Sequence, residues 1–170
     1  MHSKNKVRLI LFIYILSSTF VFADSSENNI LIKNQLYNFT TIKNNTDMAI
    51  DWELKGSMLT KYMNNITLIE KPFLNIYRTE STIDIKSDTA IDPIGNMEEI
   101  YLKDNVFINR EYPLTDISMK VYTSYAIFYV SKNLFETDRD VTIITSDSTT
   151  TGSGLSANMD TGITVSYTHL

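Results

Sequence analysis

The side chains best suited to chemistry in this sequence are two pairs of neighbouring carboxylates, Glu98-Glu99 and Asp138/Asp140. Two carboxylates on either side of a glycosidic bond can act as acid and base or as acid and nucleophile. These pairs make a secreted all-β carbohydrate-active enzyme one alternative for the function. Acidic neighbours at strand ends are far more often simply hydrated, so we expect no catalytic residue and no enzyme.

Histidine and cysteine, the usual residues of covalent catalysis and of zinc sites, are missing from the central part of the chain. The two histidines are His2 and His169, at opposite ends, and there is no cysteine. The central part therefore has no Cys-His or Ser-His-Asp nucleophile and no His- or Cys-ligated zinc site. No nucleotide-binding motif is present either. We expect neither a metal nor another cofactor.

The charge of the chain argues against a nucleic-acid partner. Without Lys4, Lys6 and Arg8 at the N-terminus, 12 basic side chains stand against 20 acidic ones. A nucleic-acid surface needs a clustered excess of lysine and arginine. The remaining arginines are instead far apart in the sequence: Arg78, Arg110 and Arg139. We expect no nucleic acid among the partners.

These side chains must be positioned by β-strands, and the clearest strand is Leu102-Lys103-Asp104-Asn105-Val106-Phe107-Ile108. Its apolar and polar residues alternate, as in a half-buried strand. Looser copies lie on either side, and aligning Pro72, Val106 and Val141 gives spacings of 34 and 35 residues. A period of this length indicates one supersecondary unit that is repeated and stacked on its neighbours.

The remaining central segments also alternate over short stretches and are separated by turns. Asn64-Asn65 predicts a hairpin turn, residues 92–96 predict a longer turn, and Lys55-Gly56-Ser57 predicts a turn or bulge. Residues 125–130 are apolar on both faces, which predicts a strand that is covered on both sides or lines a cavity. The class is all-β, with antiparallel strands in a roll, sandwich or open barrel.

Apolar residues are more plentiful than any candidate for chemistry, with 10 tyrosines and 8 phenylalanines in the whole chain. Most must form the core. In an open β-roll, however, every second residue faces the lumen, where apolar side chains can line a groove for acyl chains. For any single residue, ordinary packing is the simpler interpretation, and both remain open at this point.

The N-terminus carries a targeting segment. Basic Lys4, Lys6 and Arg8 precede an apolar stretch over residues 9–23, and a polar run follows from Asp24. This pattern fits a cleaved signal peptide. It also fits an uncleaved anchor, although 15 residues fall short of the ~20 that span a bilayer. Both interpretations carry the chain from Asp24 onward across a membrane.

The C-terminal residues Val165-Ser166-Tyr167-Thr168-His169-Leu170 look like the translation of a transposon end used in sequencing-library preparation. We interpret residues 165–170 as a sequencing-adapter artefact and expect the natural chain to be cut short near Thr164. An ordinary polar tail is the alternative. The repeat points the same way, because another copy of the Val106/Val141 position would fall just beyond the end of the chain.

One hydrophobic N-terminal segment is followed by a fixed succession of strand segments, and the order and spacing of the series carry a resemblance. The segments are Trp52-Glu53-Leu54-Lys55-Gly56, Ile69-Glu70-Lys71-Pro72-Phe73-Leu74-Asn75-Ile76, Ile83-Asp84-Ile85-Lys86-Ser87-Asp88-Thr89-Ala90, Ile100-Tyr101-Leu102-Lys103-Asp104-Asn105-Val106, Asp140-Val141-Thr142-Ile143 and Gly152-Ser153-Gly154-Leu155-Ser156-Ala157. From about residue 7 to residue 164, the chain resembles the LptC family of lipopolysaccharide-export proteins and, more loosely, its soluble relative LptA.

The resemblance implies a twisted antiparallel β-jellyroll (OstA-like) in the periplasm, preceded by one N-terminal transmembrane helix in the bacterial inner membrane. It divides the chain into an anchor or signal peptide (residues 1–23), a linker and first-strand region (24–46) and the jellyroll (47–164). It also favours the uncleaved anchor. Such a protein receives lipopolysaccharide from the inner-membrane ABC transporter through its N-terminal region and passes it to LptA.

The resemblance also implies the site. Acyl chains of the lipopolysaccharide would lie in the lumen, and Ile69 matches a lumen-facing aromatic position of the family although it has no ring. The lumen candidates are Trp52, Leu54, Ile69, Leu74, Ile76, Ile83, Ile85, Leu102, Val106, Ile108, Val141 and Ile143. The C-terminal edge that would pair with LptA is expected at Gly154, Leu155, Ala157 and Met159.

Two further expectations follow from the resemblance. A chain cut short near Thr164 lacks most of the LptA-facing edge, so we expect it to bind LptA poorly. The nearest functional alternative is a soluble, LptA-like periplasmic carrier of lipopolysaccharide.

Overall fold

A computed structural model describes residues 31–115 and 117–160 together with the backbone of residues 164–166. The predicted membrane anchor lies outside the described residues. Eleven strands and a short 3-10 turn at Val130–Lys132 make up the described part of the chain. The strands are β1 (Ile32–Asn44), β2 (Ile50–Tyr62), β3 (Thr67–Glu70), β4 (Phe73–Tyr77), β5 (Thr82–Lys86), β6 (Thr89–Asp92), β7 (Glu99–Tyr112), β8 (Ile117–Tyr129), β9 (Leu134–Thr145), β10 (Thr149–Asn158) and β11 (Thr164–Ser166).

The strands form a single antiparallel sheet that is bent across its middle. β2 pairs with β3 through its second part and with β4 through its first part. β7 likewise pairs with β6 through its first part and with β5 through its second part. β3 and β4 are therefore the two arms of one bent strand, and β5 and β6 are the two arms of another. The all-β, antiparallel class is confirmed. We call the two sides of the bend the β3–β6 half and the β4–β5 half.

Residues with left-handed backbone angles mark the bend. Lys71 between β3 and β4 has φ 48°, Asp104 and Asn105 in β7 have φ 58° and 50°, and Gly154 in β10 has φ 80°. The β7–β8 register also shifts between Lys103 and Val106. Such bulges bend a strand and re-aim its side chains. Polar and glycine residues accept these angles more readily than β-branched ones.

Asp88 ties three bent strands together at this line. Its carboxylate accepts hydrogen bonds from Lys71 Nζ at 2.6 Å and from Asn105 Nδ2 at 2.6 Å. Its backbone N–H donates to the carbonyl of Asp104, and its carbonyl accepts from the N–H of Lys71. The hydrogen bond from Lys71, followed by that from Asn105, lowers the pKa of Asp88. The bend is therefore fixed by side chains as well as by backbone angles.

The registers account for the repeat spacing. Val106 in β7 lies opposite Thr123 in β8, and Thr123 lies opposite Val141 in β9. Val106 and Val141 thus occupy one row, two strands apart, just beside the bend. The repeating unit of 34 to 35 residues is a hairpin of two bent strands.

The core lies between the two halves, where the inward faces of the strands meet. One inward row of the β3–β6 half runs through Leu59, Ile69, Ala90, Leu102 and Ala126 in adjacent strands. Four of these five side chains are buried, and Leu59 packs against them. Alternation along each strand places every second residue in this core, which is why the apolar positions of the sequence predicted it.

The predicted turn at residues 92–96 is confirmed, and a buried carboxylate organises it. Asp92 is 1% exposed and accepts hydrogen bonds from the N–H groups of Ile94, Gly95 and Met97. Gly95 has φ 79°, and a Cβ there would lie 2.3 Å from the Asn65 carbonyl oxygen. The positive φ and the close approach of the Asn65 carbonyl both require glycine. The loop therefore packs closely on the β2–β3 turn.

The prediction of a turn or bulge at Lys55-Gly56-Ser57 is wrong, because β2 continues through these residues. Gly56 faces Phe39 of β1 in the register. A Cβ at Gly56 would lie 2.6 Å from Phe39 Cε1 and 3.0 Å from Ile69 Cγ2. Glycine here makes room for the Phe39 ring instead of turning the chain.

Replacing Gly56 by alanine is therefore expected to destabilise the domain by about 1–3 kcal/mol, the usual cost of overpacking. The variant Gly56→Ala/Phe39→Ala removes the ring that the new methyl group meets, so its loss should be smaller than the sum of the two single losses. Urea unfolding of all three variants measures this coupling. Strictly additive losses would contradict the proposed contact.

The region that the sequence assigned to a linker and first strand, residues 24–46, contains β1. β1 begins at Ile32 and pairs with β2 over most of its length, so it belongs to the sheet. Only Phe39 of its 13 residues is buried. A strand exposed on both faces needs no apolar alternation, and this explains why the first strand was only weakly marked in the sequence.

Candidate functional site

The main cavity of the described residues lies between the two halves of the sheet and has a volume of about 560 Å³. The β4–β5 half contributes Leu74, Ile76 and Ile85, and the β3–β6 half contributes Ile69 and Ala90. Both walls are apolar because they are the inward faces of alternating strands. Pockets of 300–1,000 Å³ with apolar walls commonly bind small apolar or amphipathic ligands.

The structure divides the predicted lumen residues into two groups. Those that line the cavity are Trp52, Leu54, Ile69, Leu74, Ile76, Ile85 and Leu102. The others lie in or against the packed core: Ile83, Val106, Ile108, Val141 and Ile143. Ile83, Val106 and Ile108 are at most 1% exposed. The inward direction was predictable for both groups, but only the first group lines this cavity.

Several cavity residues were not among the named candidates. Ala90, Ile100, Phe128 and Val130 contribute to the walls. Phe128 and Val130 belong to the run that is apolar on both faces, and the alternative that this run lines a cavity is confirmed for these two residues. Ala90 gave no signal, because an alanine at an inward position looks like any small core residue.

Polar and charged side chains surround the mouth of the cavity, among them Lys43, Glu98 and a cluster centred on Arg78. Arg78 Nη1 lies 3.0 Å from Asp51 Oδ1, and its Nε lies 3.2 Å from Asp160 Oδ1. Arg78 Nη2 also donates to Asn133 Oδ1 at 3.2 Å. An apolar chamber with a polar mouth suits a ligand that has an apolar tail and a polar head.

The carboxylate pairs do not meet around this cavity. Only Glu98 lies at its mouth. Asp138 pairs with the neighbouring Arg139 at 3.3 Å, and its side chain is 78% exposed. Burial raises the pKa of Tyr125, to which the charges of Asp138 and Glu99 add. Glu99, Asp138 and Asp140 do not line the cavity, so neither pair forms a two-carboxylate site there.

The predicted partner edge is largely occupied in the described part of the chain. The backbone of residues 155–157 pairs with β9 on one side and with β11 on the other. The side chains of Leu155, Ala157 and Met159 are buried in the core. Residues 149–153 pair with β9 alone among the described strands, and the part of this edge that meets a partner stays a prediction.

β1 forms the opposite edge of the sheet and pairs only with β2 among the described strands. Several large apolar side chains on it are about half exposed or more: Ile32, Leu36, Tyr37 and Ile42. An edge strand of this length and character is a ready site for pairing with another chain.

The described residues hold no group of three or more His, Cys, Asp and Glu side chains that could bind a metal ion. Among the described residues, no helix is long and apolar enough to cross a bilayer.

Two comparisons with known proteins gave matches, one to a family and one to a fold. The family described as "Lipopolysaccharide-assembly, LptC-related" matches residues 7–165. Among solved structures, the fold is similar to LptH from Pseudomonas aeruginosa, described as the LptA homologous periplasmic component of the conserved lipopolysaccharide transport device. That match has a TM-score of 0.50 at 9% identity and covers 80% of this chain and 82% of the other. No curated protein sequence matches the chain.

Proposed function

Because this chain belongs to the LptC family of lipopolysaccharide-assembly proteins, we propose that it binds lipopolysaccharide during its export and holds the acyl chains in the cavity between the two halves of the sheet. The protein acts as a carrier and scaffold and catalyses no reaction. Its periplasmic domain is held at the inner membrane by the N-terminal segment.

The observation that carries this proposal is the apolar cavity itself. Its walls come from inward-facing residues of both halves, and it has about 560 Å³ of unfilled volume. Each methylene group transferred from water into such walls contributes about 0.8 kcal/mol. Acyl chains would therefore be held by the same effect that stabilises the core, without any polar recognition inside the chamber.

The two edges of the sheet support a role in handover. The exposed apolar side chains of β1 suit pairing of the N-terminal region with the inner-membrane ABC transporter. The open backbone of residues 149–153 suits pairing of the C-terminal edge with LptA. Strand addition at such edges supplies backbone hydrogen bonds and continues the sheet into the partner. The transporter's ATP hydrolysis would drive the movement.

The single tryptophan of the chain offers a direct test, because Trp52 lies in the cavity wall. Bromine quenches tryptophan only at short range, so dibromostearate bound in the cavity should quench Trp52 in the full chain held in lipid nanodiscs. Added lipopolysaccharide should displace the probe and restore the fluorescence. A fluorescence titration measures both steps.

A relocated tryptophan provides the control. Phe107 packs against Tyr122 with ring centroids 5.0 Å apart, and Tyr122 is 43% exposed. The variant Trp52→Phe/Phe107→Trp should therefore escape quenching. Equal quenching of the two tryptophans, or quenching of Trp52 that lipopolysaccharide cannot reverse, would overturn the proposed function.

A further inference from the structure

The polar cluster at the cavity mouth joins the two halves of the sheet. Arg78 follows β4 directly, at the end of the β4–β5 half that is farthest from the bend at Lys71. Asn133 precedes β9 and Asp160 follows β10, at the far end of the β3–β6 half. The bend therefore closes one side of the cavity, and these three residues meet at the other.

The contacts among the three residues are mutual. Arg78 reaches Asp160 through Nε at 3.2 Å and Asn133 through Nη2 at 3.2 Å. Asn133 Nδ2 in turn donates to Asp160 Oδ2 at 2.8 Å. Asp51, on the same half as Arg78, holds the guanidinium from behind at 3.0 Å. Each half thus orients its own part of the cluster.

The cluster is partly exposed, and this makes it easy to open. The side chains of Arg78 and Asp160 are 25% and 50% exposed. Ion pairs in contact with water contribute little to stability, because water replaces their hydrogen bonds readily. The buried apolar side chains on the inward faces of the two halves hold the halves together independently of the mouth.

We propose that Arg78, Asn133 and Asp160 form a latch across the cavity mouth, which must open before an acyl chain can enter or leave. This inference rests on the proposed function, since it assigns the control of entry to the same cavity. The latch sets the rate of exchange, while the apolar walls set the affinity. Releasing it should accelerate uptake and release together and leave the equilibrium amplitude nearly unchanged.

Stopped-flow quenching of Trp52 by dibromostearate, in the full chain held in nanodiscs, tests the rate. Arg78→Met removes both contacts that cross between the two halves, those with Asp160 and Asn133, and should speed quenching by about fivefold or more, as expected for the loss of weak partly exposed pairs. Asn133→Gly should accelerate it less, and glycine accepts the φ of 48° at this position without strain. Thermal melting of both variants checks that the fold persists.

Arg139→Met is the matched control, because Arg139 forms a surface ion pair with Asp138 away from the mouth. Its quenching rate should equal that of the unmodified protein. Quenching in the unmodified protein at the same rate as in Arg78→Met would overturn the latch and leave the cavity intact. The complete absence of quenching in the unmodified protein would overturn the proposed function and the latch together.

The reverse experiment closes the latch covalently. The chain has no cysteine, so Arg78→Cys/Asn133→Cys can be joined specifically by a bis-maleimide that contains a reducible disulfide. The joined protein should take up dibromostearate much more slowly, and reduction of the linker should restore fast uptake. Unchanged uptake in the joined protein would also overturn the latch.

Discussion

Ala90→Phe is expected to abolish most acyl-chain binding while the domain stays folded. Ala90 lies in β6 between Ile69 and Leu102 and faces the cavity. A phenyl ring at this position enters empty space instead of a packed core, so it fills the site from within. We expect the affinity for dibromostearate to fall at least about tenfold, or ~1.4 kcal/mol, in the Trp52 quenching titration.

The neighbouring residue of the same strand provides the control. Thr89 points to the opposite face of the sheet, because successive side chains of a strand alternate. Thr89→Phe adds a similar ring outside the cavity and should leave the affinity unchanged. A loss of affinity in Thr89→Phe as large as that in Ala90→Phe, or full affinity in a folded Ala90→Phe, would contradict the location of the site.

Phe135→Ala is expected to be among the most destabilising substitutions in the domain. Phe135 is completely buried in β9, where it lies between Phe128 of β8 and Ala157 of β10. Removing such a ring costs about 3–5 kcal/mol, against a total stability of about 5–15 kcal/mol for most domains. We expect the Tm to fall by on the order of 10–20 °C, measured by circular dichroism.

An outward-facing phenylalanine gives the comparison. Phe107 contacts only one ring, that of Tyr122, among the aromatic pairs of the described residues. Phe107→Ala should therefore cost only about 0.5–1.5 kcal/mol, the order expected for one aromatic pair. If Phe107→Ala destabilised the domain as much as Phe135→Ala, the assignment of the inner and outer faces would be wrong.

The alternation of apolar residues predicted the fold class and most of the inward-facing positions. Leu102, Val106 and Ile108 all face inward, as their alternation indicated. The repeat was visible because each hairpin must place its apolar residues in the same row as those of its neighbour. Burial imposes this periodicity on a strand wherever one face is covered, so a single sequence carries the signal.

The first strand and the bend gave no comparable signal. β1 is covered by the sheet only at Phe39, so nothing constrained its other residues to alternate. Gly56 looked like a turn residue, whereas Phe39 of the neighbouring strand and Ile69 of the core leave no room for a side chain at this position. A local pattern cannot distinguish a glycine that turns the chain from one that makes room for a distant ring.

The sequence by itself determined that the chain forms an antiparallel β repeat with an apolar interior, and that its central part has neither histidine nor cysteine. The tertiary structure alone decided which inward-facing residues are packed and which border empty space. It also decided that Arg78 meets Asn133 and Asp160, 55 and 82 residues away. The reason is physical: the direction of a side chain follows from local alternation, whereas cavities and cross-sheet contacts depend on how two distant halves of the sheet come together.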